Sequence, residues 1–137
     1  MKHLVILAVF SLAFYGCSTS YHAMGSSDTG YTDGVMPSGS YFVTFTGDKH
    51  TSKETVKKYT LRRCAEITIA NGSLYFEILR DFTSMAEERT PVTNYKTGGT
   101  YTYTDEAYTG SLEIKLLPKA PPKIIHPFYD AKAILGI

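Results

Sequence analysis

Residues 40–79 read SYFVTFTGDKHTSKETVKKYTLRRCAEITIANGSLYFEIL, and the spacing of the apolar residues changes twice within this stretch. Residues 41–46 alternate from side to side and are rich in aromatic and β-branched types, which predicts a strand. Residues 51–71 have apolar side chains at helical spacing, and residues 74–82 alternate again. A strand, a long helix and a second strand form a crossover, whose two strands are expected to run parallel.

The predicted helix carries signals for both of its ends. Thr51 and Glu54 have the spacing of a capping box, in which each side chain accepts a hydrogen bond from a backbone N–H at the start of the helix. Asn71 and Gly72 are typical of a helix C-terminus. The face predicted to lie against the sheet consists of Val56, Thr60, Leu61, Cys64, Ile67 and Thr68. The strand residues predicted to meet it are Val43, Phe45, Leu74, Phe76 and Ile78.

The C-terminal part of the chain adds further elements. Residues 110–117 alternate and predict a third strand, whereas residues 84–109 are rich in Thr, Tyr and Gly and carry only a weak strand signal. Residues 128–137 predict either a short helix capped by Asp130, which we favour, or a final strand. The predicted fold class is therefore α+β, with a three- to four-stranded sheet packed on one long helix.

The N-terminus has the organisation of an export signal. Lys2 precedes an uncharged apolar run from Leu4 to Phe14, which is shorter than the about 20 residues of a membrane-spanning helix and matches the core of a signal peptide. The run is followed by Gly16-Cys17. This arrangement resembles the lipobox of bacterial lipoproteins, whose cysteine is acylated and becomes the mature N-terminus. The alternative is a short uncleaved anchor with an incidental cysteine.

The lipobox resemblance implies a division of the chain into a signal peptide over residues 1–16, a lipidated N-terminus and flexible tether over 17–39, and a single domain over 40–137. Gly, Ser, Thr and Asp dominate the predicted tether, which buries too little apolar surface to order itself. Its Tyr31 is a candidate for docking on the domain. Ser18 stands where Asp would be the usual inner-membrane retention signal, so the resemblance implies an anchor in the outer membrane, facing the periplasm.

Length and charge restrict the class of protein. Without residues 1–16 the chain has 121 residues, a single-domain length, with 13 basic and 13 acidic side chains. Proteins that bind nucleic acid carry an excess of Lys and Arg on one face, because they neutralise phosphates. We therefore expect no nucleic-acid partner.

Cys64 is the second of the two cysteines in the chain. If Cys17 is acylated, Cys64 has no disulfide partner within the chain. An odd cysteine in an exported protein can be reactive or intermolecular. However, its place on the predicted inner face of the helix indicates a buried thiol that packs as a small hydrophobe.

A longer pattern resembles a family of small proteobacterial outer-membrane lipoproteins of uncharacterised function. The family has Gly-Tyr-Ser/Thr, an aromatic-Val-x-Phe-x-Gly-Asn strand, a Thr-Ser/Thr-x-Glu helix start, Leu-x-Arg-Ala-Ala-Glu and Gly-x-x-x-Phe. The matching positions are Gly30, Tyr31, Thr32, Val43, Phe45, Gly47, Thr51, Glu54, Leu61, Arg63, Ala65, Glu66, Gly72 and Phe76. Asp48 and Cys64 depart from the family's Asn and Ala. The resemblance covers about half of the mature chain, implies an envelope lipoprotein and supplies no activity.

The sequence contains no constellation typical of catalysis. There is no Gly-x-Ser-x-Gly turn and no His-x-x-x-His pair, and the histidines that follow Cys17 are far apart: His22, His50 and His126. Glu66 with Arg62 and Arg63 is interpreted as a pair of surface ion pairs on the helix. We predict that the protein is not an enzyme and needs no cofactor or metal.

Two non-catalytic functions remain. The first is an interaction or structural module of the envelope that binds another envelope protein. The second is a glycan- or peptidoglycan-binding lipoprotein, since aromatic faces stack on sugar rings. Its candidate surface is Tyr95, Tyr101, Tyr103 and Tyr108. The same tyrosines can instead cover a sheet face or edge while their hydroxyls stay in water.

Overall fold

The computed structural model of the protein describes residues 18–93 and 96–137, and only the backbone of residues 86–93 and 101–106. This part of the chain is a mixed α+β fold, with one sheet, one long helix and a short C-terminal helix. The elements in chain order are β1 Gly30–Val35, β2 Tyr41–Thr46, α1 Lys53–Ala70, β3 Tyr75–Asp81, β4 Ser84–Thr93, β5 Thr100–Leu117, β6 Phe128–Asp130 and α2 Ala131–Leu135.

All neighbouring strands of the sheet are antiparallel. The order is β1-β2-β5-β3-β6, and β4 pairs with β5 as well. The predicted α+β class is confirmed, but the predicted count of three to four strands is wrong, because the described residues form six. β1 and β6 are short edge strands and β4 pairs with a single neighbour, so none of the three has the strong apolar alternation of a central strand.

Helix α1 connects β2 to β3, and β5 lies between these two strands. Because β2 and β3 are both antiparallel to β5, they run in the same direction. The crossover predicted from the sequence is therefore present with its strands parallel, but they are not neighbours. The connection is a split strand–helix–strand unit.

The start of α1 differs by one residue from the predicted capping box. Ser52 is the N-cap, and its Oγ accepts a hydrogen bond from the backbone N–H of Thr55 at 3.2 Å. Thr51 is buried and bonds outside the helix instead. The helix ends where the sequence predicts, with Asn71 as its C-cap.

The core lies between α1 and one face of the sheet. Most residues predicted to lie inside are buried, and Leu61 and Ile78 are partly buried against them. The buried ones are Val43, Phe45, Val56, Thr60, Cys64, Ile67, Thr68 and Phe76. The prediction for Leu74 is wrong, because this residue precedes β3 and is 44% exposed. β5 contributes Leu112 and Ile114 to the same core.

The C-terminal segment contains both of the elements considered for it. β6 pairs with β3, and α2 follows directly. The Asp130 carboxylate accepts hydrogen bonds from the backbone N–H groups of Lys132 and Ala133, at 2.9 and 3.2 Å, so it caps α2 as predicted.

Strands β4 and β5 extend beyond the rest of the sheet. β2 pairs with β5 only as far as Thr109, and β4 is the only one of the described strands that pairs with residues 100–108 of β5. We call residues 84–108 the β4–β5 arm. It begins at the end of the sheet where β2 ends, since the Gly47 N–H donates to the Tyr108 carbonyl at 3.0 Å.

Residues 30–35, for which the sequence predicts tether, form the edge strand β1. Its outer edge is covered at Tyr31, whose backbone N–H and C=O bond to His22 and Met24. The Gly30 backbone has φ 113°, and a Cβ there would lie 2.8 Å from the His22 carbonyl oxygen. A side chain at position 30 would therefore prevent the two segments from meeting.

Candidate functional site

The described chain is fixed to the fold almost from its first residue. Thr19 is buried, and its backbone N–H donates to Thr51 Oγ1 at 2.8 Å. The Thr51 hydroxyl donates to Asp48 Oδ1 at 2.6 Å, and the Asp48 N–H donates to Thr19 Oγ1 at 2.9 Å. We call these three residues the Thr19 corner. Their bonds hold the N-terminal segment between the end of β2 and the start of α1.

The Asp48 carboxylate is adapted to this position. Burial raises the pKa of Asp48, but hydrogen bonds from the Thr51 hydroxyl and the His50 N–H outweigh burial and leave the pKa below its ordinary value. Because the ionised carboxylate is the better acceptor, Asp48 stays charged while it faces the corner.

Tyr21 holds the next part of the N-terminal segment against α1. Its ring lies 5.0 Å from that of Tyr31 and 5.4 Å from that of Tyr59. Its hydroxyl donates to Glu66 Oε2 at 2.5 Å, and the Arg62 guanidinium lies over the ring, 4.2 Å from its centroid. Burial, followed by the bond to Glu66, raises the pKa of Tyr21, so this hydroxyl remains a donor.

Arg63 connects the same cluster to β1. Its Nε donates to Asp33 Oδ1 at 2.7 Å and its Nη1 donates to Glu66 Oε2 at 3.2 Å. The guanidinium lies 4.4 Å from the centroid of the Tyr31 ring. Burial opposes the charge, but Asp33 and Glu66 outweigh it and raise the pKa of Arg63. We call the whole cluster the N-terminal clamp: Tyr21, Tyr31, Asp33, Arg62, Arg63 and Glu66.

In the clamp, Glu66 has more partners than the sequence predicts. The expected pairs with Arg62 and Arg63 are present, at 3.1 and 3.2 Å. Sequence reasoning missed Tyr21 and Asp33, which lie 45 and 30 residues away from their partners on α1. The clamp also gives a structural role to three positions of the pattern described above, because Arg63 lies over the ring of Tyr31 and pairs with Glu66.

The clamp predicts a dependence of stability on pH. Burial raises the pKa of Glu66, but the bonds from Tyr21, Arg63 and Arg62 outweigh it and lower the pKa overall. The stabilisation is therefore complete above the ordinary glutamate pKa of about 4.3 and is lost as the pH falls through the lower folded-state value. Glu66→Gln should lower the free energy of unfolding at pH 7 by about 1 kcal/mol and flatten the loss of stability in acid, measured by urea unfolding between pH 3 and 7.

The matched control is Glu54→Gln, an exposed carboxylate in the first turn of the same helix. Because Glu54 has no part in the clamp, this substitution should change the stability curve less than Glu66→Gln does. If Glu66→Gln retained the acid slope of the parent protein, the ionised Glu66 carboxylate would contribute nothing to stability.

A buried carboxylate lies on the sheet face away from α1. Glu113 is 5% exposed, and its two oxygens accept hydrogen bonds from the Ser40 hydroxyl and from Arg80 Nε, both at 2.7 Å. The Ser40 bond, opposed by burial and assisted by Arg80, lowers the pKa of Glu113. Through these bonds, the Glu113 carboxylate connects β5 to the β1–β2 turn and to β3.

The predicted tyrosine surface is only partly described. Tyr95 lies outside the described residues. Tyr101 and Tyr103 both lie in the β4–β5 arm, opposite Val92 and Thr90 of β4. Tyr108, at the base of the arm, is half-buried opposite Met85. The structure therefore places three of the four tyrosines on β5.

Cys17, the predicted lipidation site, also lies outside the described residues, and its acylation stays a prediction. It precedes Thr19 by two residues. In the described part of the chain, neither helix is long and apolar enough to cross a membrane.

Cys64 has the environment predicted for it. The thiol is buried in the core under α1, and burial raises its pKa to about 12. In a Cys17→Ser background, Cys64 is the only thiol. A maleimide should label it at least about 100-fold more slowly in the native state than in urea, because thiolate is the reacting species and its fraction falls tenfold per pKa unit. Similar rates, or a disulfide-linked dimer abolished by Cys64→Ala, would contradict this assignment.

No arrangement for metal binding is found in residues 18–93 and 96–137, where no three His, Cys, Asp or Glu side chains come together. Two open grooves of about 610 Å³ flank α1. The first lies between α1 and α2, with Lys57 and Lys58 above Leu61 and Ile134. The second lies between α1 and the β3 side of the sheet, beside Lys53 and Asp81.

Comparisons with known proteins do not assign the chain to a family. No protein-family model, no curated protein and no solved structure matches this chain.

Proposed function

We propose that the protein is a bacterial envelope lipoprotein, a non-catalytic interaction or structural module that an acylated Cys17 holds at the outer membrane, facing the periplasm. The observation that carries the proposal is the apolar run that ends in Gly16-Cys17, two residues before Thr19, which is buried in the described fold. The resemblance to a lipoprotein family over residues 30–76 supports the same class.

The β4–β5 arm supports an interaction role. It extends beyond β1, β2, β3 and β6, and β4 pairs with β5 alone among the described strands. Unpaired strand edges offer backbone donors and acceptors to a partner strand. Another envelope protein that adds a strand here is the partner we propose.

The anchor is tested by metabolic labelling with a fatty-acid analogue. We expect the wild-type protein to carry the label and to fractionate with outer membranes, and Cys17→Ala to carry none, because acyl transfer needs the thiol. Cys17→Ser should be recovered as soluble periplasmic protein. Equal labelling of the wild-type protein and Cys17→Ala would refute the anchor.

The alternative function is binding of glycan or peptidoglycan. It is favoured by the position of Tyr101 and Tyr103, two residues apart on the β4–β5 arm. Co-sedimentation with purified peptidoglycan that Tyr101→Ala and Tyr103→Ala abolish would support it. In-cell crosslinking from the arm to one envelope protein, without co-sedimentation, would support the protein partner instead.

A further inference from the structure

We propose that the sheet face away from α1 binds a glycan whose sugar rings carry carboxylates, with a carboxylate on Arg80 and its ring on Phe82. We call this surface the outer face. The inference deepens the glycan-binding alternative, to which it gives a different surface and a class of ligand. It does not depend on the acylation of Cys17.

The described helices leave the outer face uncovered. Both α1 and α2 pack against the core side of the sheet, where Leu112 and Ile114 of β5 lie. Successive residues of a strand point to opposite faces, so Glu113 lies on the outer face. Phe42 of β2 and Arg80 of β3 are its partners in register. Phe42, Glu113 and Arg80 therefore form one row across the middle of the outer face.

Glu113 holds the Arg80 guanidinium in one orientation. The nearly buried carboxylate accepts from Arg80 Nε at 2.7 Å, and its other oxygen accepts from the Ser40 hydroxyl. The Arg80 side chain is 65% exposed, and neither Nη1 nor Nη2 has an acceptor among the described residues. A guanidinium presents its N–H donors in a planar fork that matches a carboxylate. Arg80 is therefore a preoriented donor for a carboxylate of a ligand.

An aromatic surface lies beside these donors. The centroid of the Phe82 ring is 5.7 Å from Arg80 Cζ and 6.1 Å from the centroid of the Phe42 ring. Phe82 is half exposed, and its backbone N–H donates to the Ser111 carbonyl at 2.8 Å, which fixes it to β5. A sugar acid carries its carboxylate directly on the ring. One rigid unit can therefore contact Phe82 and Arg80 together.

The charges of the outer face favour an acidic ligand. Arg80 pairs with Glu113, and Lys115 Nζ lies 3.9 Å from Glu77 Oε1. In both pairs the cation is mostly exposed and the carboxylate mostly buried, so a ligand meets the positive groups first. The nearby Asp81 lies at the groove on the α1 side, where its carboxylate accepts from the Thr83 N–H.

The shape of the outer face favours a sugar over a peptide C-terminus. A peptide can also carry a carboxylate next to an apolar group, but an apolar side chain binds most tightly when it fills a pocket. Phe82 lines neither of the two grooves beside α1. An open cavity of about 460 Å³ lies on the other side of Glu113, next to Lys115, and it has room for a neighbouring sugar of the same chain.

The test is a titration of the soluble Cys17→Ser protein with the trimer of galacturonic acid, followed by NMR at the Arg80 side chain and the Phe82 amide. The control ligand is the methyl ester of the same trimer, which keeps the sugar rings and removes the charge. We expect saturable binding of the acid in the millimolar range and at least tenfold weaker binding of the ester. Equal binding of the two, or no saturable shift with the acid, would overturn the proposal.

Two arginine variants test the contact with the carboxylate. Arg80→Lys keeps the charge but loses the planar fork, so it should weaken binding of the acid at least tenfold. Arg62→Lys is the matched control, because Arg62 also pairs with a glutamate and lies over an aromatic ring, on α1. It should leave binding unchanged. Equal losses in both variants would show a general attraction of the acid to arginine and would overturn the site.

The aromatic contact is tested by a variant that does not disturb the Arg80 pair. Phe82→Ala should weaken binding of the acid at least threefold, whereas Met85→Ala, at a residue of similar exposure, should not. An unchanged affinity in Phe82→Ala would contradict the proposed position of the ring. A tripeptide with a free C-terminus that bound more tightly than the trimer would overturn the assignment of a sugar as the ligand.

One further variant separates this site from the tyrosines of the β4–β5 arm. Tyr101→Ala with Tyr103→Ala should leave binding of the trimer unchanged, since residues 100–108 lie beyond the rows that carry Arg80 and Glu113. Loss of binding in this variant would overturn the outer-face site and support the arm instead. Binding that depends on Arg80, in a protein that does not sediment with peptidoglycan, would support the outer face and refute the arm.

Discussion

Phe45→Ala is expected to lower the free energy of unfolding by about 4 kcal/mol, within the range for removing a buried phenylalanine side chain. Phe45 is fully buried in β2, and its ring lies 5.0 Å from that of Tyr59 and 6.4 Å from that of Tyr21. The substitution leaves a cavity at the junction of sheet, helix and N-terminal segment. Urea unfolding, followed by circular dichroism, measures the loss.

The matched control is Phe82→Ala, because Phe82 is 49% exposed and should cost less than about 1 kcal/mol. In the Phe45 variant, the amide of Thr19 should also exchange its hydrogen faster, since Tyr21 loses a packing partner. A loss below 1 kcal/mol at Phe45 would mean that the core is wrongly assigned.

Gly110→Ala should lower the free energy of unfolding by about 3 kcal/mol, at the upper end of the usual cost of overpacking. A Cβ at position 110 would lie 2.2 Å from Thr60 Oγ1 and 3.2 Å from Val56 Cγ1. Thr60 is itself buried, and its hydroxyl donates to the Val56 carbonyl, so turning the hydroxyl away would break this hydrogen bond. α1 would have to shift away from β5.

Two further variants test this contact by urea unfolding. Gly34→Ala, in β1, places its Cβ where no atom lies within 4 Å, so it should change stability by less than about 0.5 kcal/mol. Thr60→Ala removes the atom at 2.2 Å and should recover part of the loss when combined with Gly110→Ala. Strictly additive effects of the two substitutions would show that they do not interact.

The elements that could be predicted from the sequence are those with one face buried against the core and the other face directed away from it. β2 and α1 each have a face against that core, and this one-sided burial produces the alternation in residues 41–46 and the helical spacing that follows. The β4–β5 arm pairs beyond the core, and its sequence has only a weak alternation. A strand that continues beyond the core has less constraint on its pattern than one that packs against it.

The N-terminal clamp could not be predicted because its contacts are polar and distant in sequence. Composition described residues 18–40 correctly as polar, but the segment is ordered by the partners of Tyr21 and Asp33 on α1. The available signal was the pair of tyrosines in a polar stretch, and the predicted docking of Tyr31 is confirmed. The helix start was similarly ambiguous, since Thr51 and Ser52 can both cap, and the bond from Thr19 to Thr51 decides between them.

The position of Thr19 also determines how large a volume an anchored protein can search. A flexible tether over residues 17–39 would have a root-mean-square length of roughly 25–30 Å and would let the domain sample the periplasm around it. With Thr19 fixed, Ser18 alone separates the domain from an acylated Cys17. If Cys17 is acylated, the domain is held close to the bilayer with little freedom to move away. Its partners must then come within one domain height of the bilayer. Its effective concentration is then high for ligands at the membrane surface and close to zero for ligands farther away.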